Sequence, residues 1–429
     1  MQIAHLRSLA LGFWFLFSPI AAQAQTEHAV WQPDLGNGRY KNPVLYADYS
    51  DPDVIRVGDD YYLTASSFTC MPTLPILHSK DLVNWTILGH VADGLPLERY
   101  RKPQHGEGTW APALRYHNGL FYNYVCSPND GLWCATARKP EGPWKIELVE
   151  AVGKWEDPCP FWDEDGQAYL IHSRVGAGNL TLHRMSKDGK RLLDNGKVIV
   201  EDPVKLPVLE GPKLYKNDGW YYILAPIGGV STGQQVVLRS RKIDGPYETK
   251  TVLHQGKTAV NGPHQGGMVQ TQTGEWWFLH FQSKAPWGRV VHLQPVSWVD
   301  GWPLMGQLSD SIGVPVAEYR KPDVGRSYPR QAPQTSDEFD RKRIGLQWQW
   351  NANVDPSWYS LTKKAGSMRL YARKEHHQVR QPLLYPEPPA SEIPGTCIFG
   401  HHEHTISAEK GKRTGRFGGF RQPMVLAGG

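Results

Sequence analysis

The stretch Tyr49-Ser-Asp-Pro-Asp-Val-Ile-Arg-Val-Gly-Asp-Asp-Tyr-Tyr-Leu63 sets the fold. A carboxylate held against a proline leads into an alternating strand, a polar turn and a pair of aromatics. The outline returns in Ala113–Tyr122, Pro160–Tyr169, Lys213–Tyr222 and Met268–Trp277. Aligned on the last aromatic, the anchors Tyr62, Tyr122, Tyr169, Tyr222 and Trp277 are separated by 60, 47, 53 and 55 residues. Gly119, Gly166, Gly219 and Gly274 stand three residues before four of the anchors, and Asp59 before the first. Period-2 alternation broken by Asn-Gly or Asp-Gly is a strong hairpin signal, so each copy reads as strand, tight turn, strand.

A second signature follows each anchor: Ser79–Trp85, Ala137–Trp144, Met185–Lys190, Ser240–Tyr247 and Trp298–Trp302. These read as outer hairpins whose Trp and Tyr residues fill the space between neighbouring sheets. Five paired signatures at intervals of about 40–60 residues predict an all-β, five-bladed β-propeller rather than a sandwich or a helical solenoid. The composition agrees, with 17 Trp, 19 Tyr, 43 Gly and 34 Pro and turn residues at short intervals.

Met1–Ala24 has the order of a secretory signal peptide: Arg7, the apolar run Leu9–Phe17, then Ala22-Gln23-Ala24 as a cleavage site. The mature chain is therefore expected to be periplasmic or secreted, and no later run is apolar enough to span a bilayer. The formal charge of +5, without a basic run interleaved with aromatics before the tail, argues against nucleic acid as a partner. Five cysteines are too few for a disulfide framework, although Cys126 and Cys134 could face each other across a hairpin.

Counting twelve residues back from the anchors gives Trp110, Asp157, Glu210 and Gln265, and eleven back from Tyr62 gives Asp51. Such positions start the innermost strand of each blade, beside the propeller axis. The following prolines (Pro52, Pro158, and Pro212 after Gly211) restrict the backbone and aim the side chains. One Asp-Pro would be a turn. Three carboxylates at one mouth raise one another's pKa values, and that points to chemistry.

At these residues the chain resembles glycoside hydrolase family 43, from about Asn42 to Pro322. The resemblance rests on Asp51–Tyr62, Trp110-Ala-Pro112, Asp157-Pro158, Glu210-Gly-Pro212, Gly262–Gly266 and Gly288-Arg289 in family order. It implies inverting hydrolysis with Asp51 as general base, Glu210 as general acid and Asp157 tuning and orienting Glu210. It also implies Arg289 in the terminal sugar subsite, with Phe68 and Trp110 as an apolar floor. No cofactor is required. A calcium ion near His264, held through waters, and a purely hydrogen-bonded axial histidine are both compatible with the resemblance.

Phe68-Thr-Cys-Met-Pro72 replaces the aromatic pair of the xylosidase members, so Cys70 and Met71 are expected to stand where those have a Trp wall. The resemblance implies an oligosaccharide or polysaccharide substrate of arabinose or xylose, attacked from its end. An endo-acting arabinanase of the same fold and a catalytically silent sugar-binding propeller are the competing readings. By domain, the expectation is a signal peptide at 1–24, a catalytic propeller at 38–322, a linker at 323–335 and a partial concanavalin-like β-sandwich at 336–390. Residues 391–429 read as an irregular tail and the sandwich as shorter than the family's. Cys397 with His401, His402 and His404 reads as tail composition rather than a metal site.

Overall fold

The computed structural model describes residues 30–371 and two short strands, Thr405–Ser407 and Thr414–Arg416. The signal-peptide segment and most of the expected tail, including Cys397 and its neighbouring histidines, lie outside the described residues. Among those described, no helix is long and apolar enough to cross a membrane.

The five repeats form five antiparallel sheets, each made from one contiguous stretch of chain. Blade 1 runs from Asp53–Val57 to Trp85–Ala92, blade 2 from Trp110–His117 to Lys145–Glu150, and blade 3 from Trp155–Trp162 to Lys197–Glu201. Blade 4 runs from Lys213–Asn217 to Glu248–Leu253, and blade 5 from His264–Gln270 to Trp302–Met305. A late hairpin, Gln307–Ser309 with Ile312–Val314, extends blade 4 by two strands. Each anchor aromatic pairs across its hairpin with the same inner-strand position: Tyr62 with Ile55, Tyr122 with Arg115, Tyr169 with Phe161, Tyr222 with Tyr215 and Trp277 with Val269.

The wedges between blades form the core. Trp85 and Trp277 fill the junction of blades 1 and 5, and Tyr222, Phe278 and Trp302 that of blades 4 and 5. Tyr122 and Tyr124 meet Trp155 and Trp162 between blades 2 and 3. Sheets that twist away from a common axis leave gaps widening outward, and large aromatics close them with much buried apolar area per residue.

A polar girdle ties the inner strands together. Asp53 of blade 1 accepts from the Leu114 amide (2.9 Å) and from Arg115 Nη1 (2.7 Å) of blade 2. Arg115 Nη2 reaches Cys159 Sγ of blade 3 (2.9 Å), which also accepts from the Leu214 amide of blade 4 (3.3 Å). Tyr215 of blade 4 accepts from the Met268 amide of blade 5 (2.9 Å). Gly267 closes the circuit: a Cβ there would lie 2.7 Å from Asp53 Oδ1, so only glycine lets blade 5 come so near.

No blade mixes strands from the two ends of the chain, so a seam must close the ring. The segment before blade 1 lies along the third strand of blade 5. Leu45 exchanges backbone hydrogen bonds with Val291, the Tyr49 amide donates to Arg289 O, and Asn42 clamps Leu293 from both sides. Farther out, Arg39–Lys41 pairs with Glu318–Arg320. Residues 323–335, expected as a linker, cross the same seam as a strap, with Val324 buried in its core and Gln331 bonded to Asn84.

Two expectations about cysteine and methionine are corrected. Cys126 pairs with Leu132 and Cys134 with Tyr124, and both are free thiols, because the hairpin register sets them apart. Met71 is no pocket wall. It is buried with Leu95 and Tyr100 and pairs through its backbone with Trp350 of the second region. That region docks on the 66–73 loop: Gln349 Nε2 donates to Pro72 O (2.8 Å), Thr69 Oγ1 donates to Asn351 O (3.0 Å), and Asn353 holds Leu95. Its described residues otherwise form a single 3-10 turn, Pro356–Trp358, and one short antiparallel pair, Tyr359–Ser360 with Arg369–Leu370.

Candidate active site

Five residues at the start of the inner strands share a left-handed backbone: Asp51 (φ 51°), Ala111 (37°), Asp157 (55°), Gly211 (57°) and Gln265 (53°). Four precede a proline. For a residue with a Cβ this region costs of order 1 kcal/mol and persists only where the surroundings fix it.

This geometry corrects the repeat count. The first hairpin turn is one residue longer in blades 3 and 5, where partners Phe161/Tyr169 and Val269/Trp277 are eight positions apart, than in the other blades, where they are seven apart. A constant count from the anchor therefore slips by one. Asp51 and Asp157 do occupy one repeat position, with Ala111, Gly211 and Gln265. Glu210 belongs to the position before it, with Ser50, Trp110, His264 and Glu156. Glu156 is the site residue that sequence reasoning missed.

The three expected carboxylates do converge, around a fourth. Asp51 is buried, and its Oδ2 accepts from Ser50 Oγ (2.9 Å) and Ser66 Oγ (2.6 Å). Ser66 is fixed in turn by the Ala111 amide (2.6 Å). Arg289 Nη1 pairs with Asp51 Oδ1 at 2.6 Å, while the Arg289 amide donates to Asp48 Oδ1. Arg289 is no surface residue: its side chain is 21% exposed and lies over the rings of Phe281 and Phe68. The structure thus places it on Asp51, within the seam that closes the ring. Phe68 stands edge-on to Trp110 with ring centroids 6.0 Å apart, and the two form one aromatic wall. Gly108 permits the fold of that wall, since a Cβ there would strike Phe68 O at 2.0 Å.

Across the mouth, Asp157 Oδ2 accepts from the Gly211 amide (2.7 Å) and Ser173 Oγ (3.1 Å). Burial and the Asp51 charge push its pKa up to about 6 against the pull of Lys213, whose buried ammonium donates to Pro112 O. Glu210 is pushed up to about 8, by burial first and Asp157 second, with Arg289 opposing. Glu156 is pushed up to about 9 by burial, then by Asp157, Glu210 and Asp51. One oxygen from each of Glu156, Asp157 and Glu210 lies within 4.8 Å of the others. That spacing would suit a divalent cation, and the raised pKa values of Glu156 and Glu210 equally suit acid chemistry.

His264 sits at the axis, with Nδ1 2.6 Å from Gly262 O, an arrangement that puts the proton on Nδ1. Its Nε2 is buried and has no partner among the described residues, and burial lowers the pKa to about 4. A neutral imidazole lone pair of this kind fits a cation or a cation-bound water.

The model for glycosyl hydrolases family 43 matches residues 40–303, and that for the beta xylosidase C-terminal concanavalin A-like domain matches 336–385. A putative beta-xylosidase of Xylanibacter ruminicola is 48% identical over 79% of this chain and 64% of its own length. A non-reducing end alpha-L-arabinofuranosidase of Bacteroides ovatus is 32% identical over 78% of this chain and 65% of its own length. The chain thus spans less than two thirds of either relative. The solved xylan beta-1,4-xylosidase from Bacillus halodurans C-125 superposes with a TM-score of 0.68 at 31% identity, over 78% of this chain and 69% of that one. Propeller, second-domain match and sequence similarity agree that the chain belongs to glycosyl hydrolases family 43.

Proposed function

We propose that the protein is an exo-acting, inverting glycoside hydrolase that removes terminal α-L-arabinofuranosyl or β-D-xylosyl units from hemicellulose or pectin fragments. The observation that carries the reading is the contrast between two carboxyls at one mouth. Asp51 is ion-paired with Arg289 and receives two hydroxyl hydrogen bonds, whereas Glu210 is raised to about 8 beside Asp157. Inverting hydrolysis needs such a pair, one group giving a proton to the leaving oxygen and the other taking one from water on the opposite face.

In this mechanism Glu210 protonates the glycosidic oxygen as the bond to the anomeric carbon breaks. Asp51 accepts a proton from the attacking water, with Ser50, Ser66 and Arg289 fixing the carboxylate's direction. Asp157, held by Gly211 and Ser173, keeps a negative charge beside Glu210 and so keeps Glu210 protonated. Phe68 and Trp110 receive the apolar face of the pentose. A hydrated calcium ion on His264 Nε2 would supply positive charge at the axis. The leader-like first 24 residues support action outside the cytoplasm.

The test is release of nitrophenol from aryl α-L-arabinofuranoside and aryl β-D-xyloside, beside Glu210→Gln, with the product anomer followed by NMR. Turnover with inversion, lost in the variant, is expected. A folded protein that hydrolyses neither glycoside refutes the reading.

A further inference from the structure

Glu156 repeats Glu210 one blade earlier. Each immediately precedes a left-handed residue at the mouth, Asp157 in one case and Gly211 in the other. In a regular strand, Glu156 and Asp157 would point to opposite faces. The left-handed Asp157, with the register shift that follows Glu156, brings a carboxyl oxygen from each to within 4.8 Å of Glu210. Glu156 is 6% exposed, and its Oε1 has no hydrogen-bond partner among the described residues. Asp157 does not need it as a prop, because the Gly211 amide and Ser173 already hold that group.

The charges around Glu156 decide its state. Asp157, Glu210 and Asp51 all oppose its ionisation, as does burial, and an amide hydrogen bond from Ala177 works the other way. A carboxyl kept neutral carries one O–H donor. The Glu210 carboxyl, for its part, makes no hydrogen bond to another described residue. It is therefore unsupported when its proton leaves, next to the Asp157 charge and in a partly buried site.

We propose that Glu156 is a positioning residue for the proton transfer: its hydroxyl turns to the Glu210 carboxylate as Glu210 gives its proton to the leaving oxygen. The proposal rests on Glu210 being the acid. The Glu210 O–H bond breaks, an O–H bond to the leaving oxygen forms and the glycosidic C–O bond breaks, while Glu156 keeps its own proton and only redirects it. A hydrogen bond to a newly formed anion is stronger than one to a neutral group, so it favours the transition state over the ground state.

The experiment compares the wild type, Glu156→Leu and Glu156→Gln on aryl glycosides whose phenols have rising pKa values and on an unactivated disaccharide. Melting curves of all three proteins establish that they are folded. Leucine removes the donor, and glutamine keeps one in the same shape. Poor leaving groups depend on the acid. E156L should therefore lose roughly 10- to 100-fold in kcat/KM on the disaccharide and little on the dinitrophenyl glycoside, a steeper leaving-group dependence. E156Q should track the wild type. Equal losses in both variants on every leaving group would assign Glu156 a merely structural role and overturn the proposal, as would an E156L protein unchanged on the disaccharide. Wild-type turnover that survives Glu210→Gln would overturn this role and leave the hydrolase reading standing. A wild type without turnover on any glycoside would refute both.

Discussion

Replacing Asp157 with asparagine should pull down the alkaline limb of the pH profile. Asparagine keeps an acceptor for the Gly211 amide and for Ser173, so the local geometry can survive while the charge is lost. With oxygens of the two residues within 4.8 Å, a separation of 4.8 Å at an effective dielectric of about 20 gives a repulsion of about 3.5 kcal/mol, or about 2.5 pKa units, before solvent screening. Glu210 is not fully buried, so solvent screens part of that field. The Glu210 pKa of about 8 should therefore fall by roughly one to two units, burial sustaining the remainder of its elevation. The sign is definite: removing an anion makes the acid easier to ionise, so the variant loses activity near pH 8 while keeping more of it near pH 5. The assay is kcat/KM against pH on an unactivated disaccharide, where acid assistance matters most. An alkaline limb that stays within about 0.3 unit of the wild type, in a folded variant, would show that Asp157 does not control Glu210 by charge.

Further expectations concern stability and metal. Arg115→Met leaves Asp53, 0% exposed, without its cation and Cys159 without its guanidinium donor. Because the Leu114 amide still holds Asp53, a loss near the lower end of the range for broken buried pairs, about 3 kcal/mol, is expected in urea unfolding, and adding Asp53→Asn should recover part of it. Glu210 and Glu156 have raised pKa values in the folded state, so the stability they contribute is full below about pH 4.5 and lost as pH rises toward 8 and 9. His264, His172 and His90, lowered to about 4, add the opposite slope, with stability lost as pH falls below about 6.5. Melting temperature should therefore peak in mildly acidic buffer, and E156Q should flatten its alkaline side. Chelation with EDTA should lower the melting temperature and calcium restore it, whereas a His264→Asn protein should respond to neither.

The blades were legible in the sequence because their signals are local. An Asn-Gly or Asp-Gly turn between alternating residues dictates a hairpin wherever it occurs, and the Trp and Tyr anchors had to be buried somewhere. Asp51, Asp157 and Glu210 were legible as residues, but their register was not. A turn one residue longer in two blades left the anchors equivalent and shifted everything counted back from them. Glu156 stayed hidden for a related reason. Strand alternation assigns it the face opposite Asp157, and only the left-handed φ of Asp157, imposed by tertiary packing, brings the two to one mouth. The girdle of Asp53, Arg115 and Cys159 joins residues about 50 positions apart with no shared local pattern. Met71 misled because a position aligned with a wall was in fact the socket for Trp350.

The ring is closed at the seam between blades 5 and 1, and at its inner end that seam holds Arg289 against Asp51. First and last blades meet at Asp51, the group proposed to activate water, so the joint that closes the wheel and its proposed working edge coincide. If the joint gapes by an ångström or two, the base and its guanidinium part company although every blade remains intact. Warming should then silence the catalyst several degrees before circular dichroism records any loss of sheet, and cooling should restore the lost turnover. A covalent clasp across the joint, placed among the outer strands away from the mouth, would bring the two temperatures together. For this architecture, turnover would then be the more sensitive thermometer of ring closure.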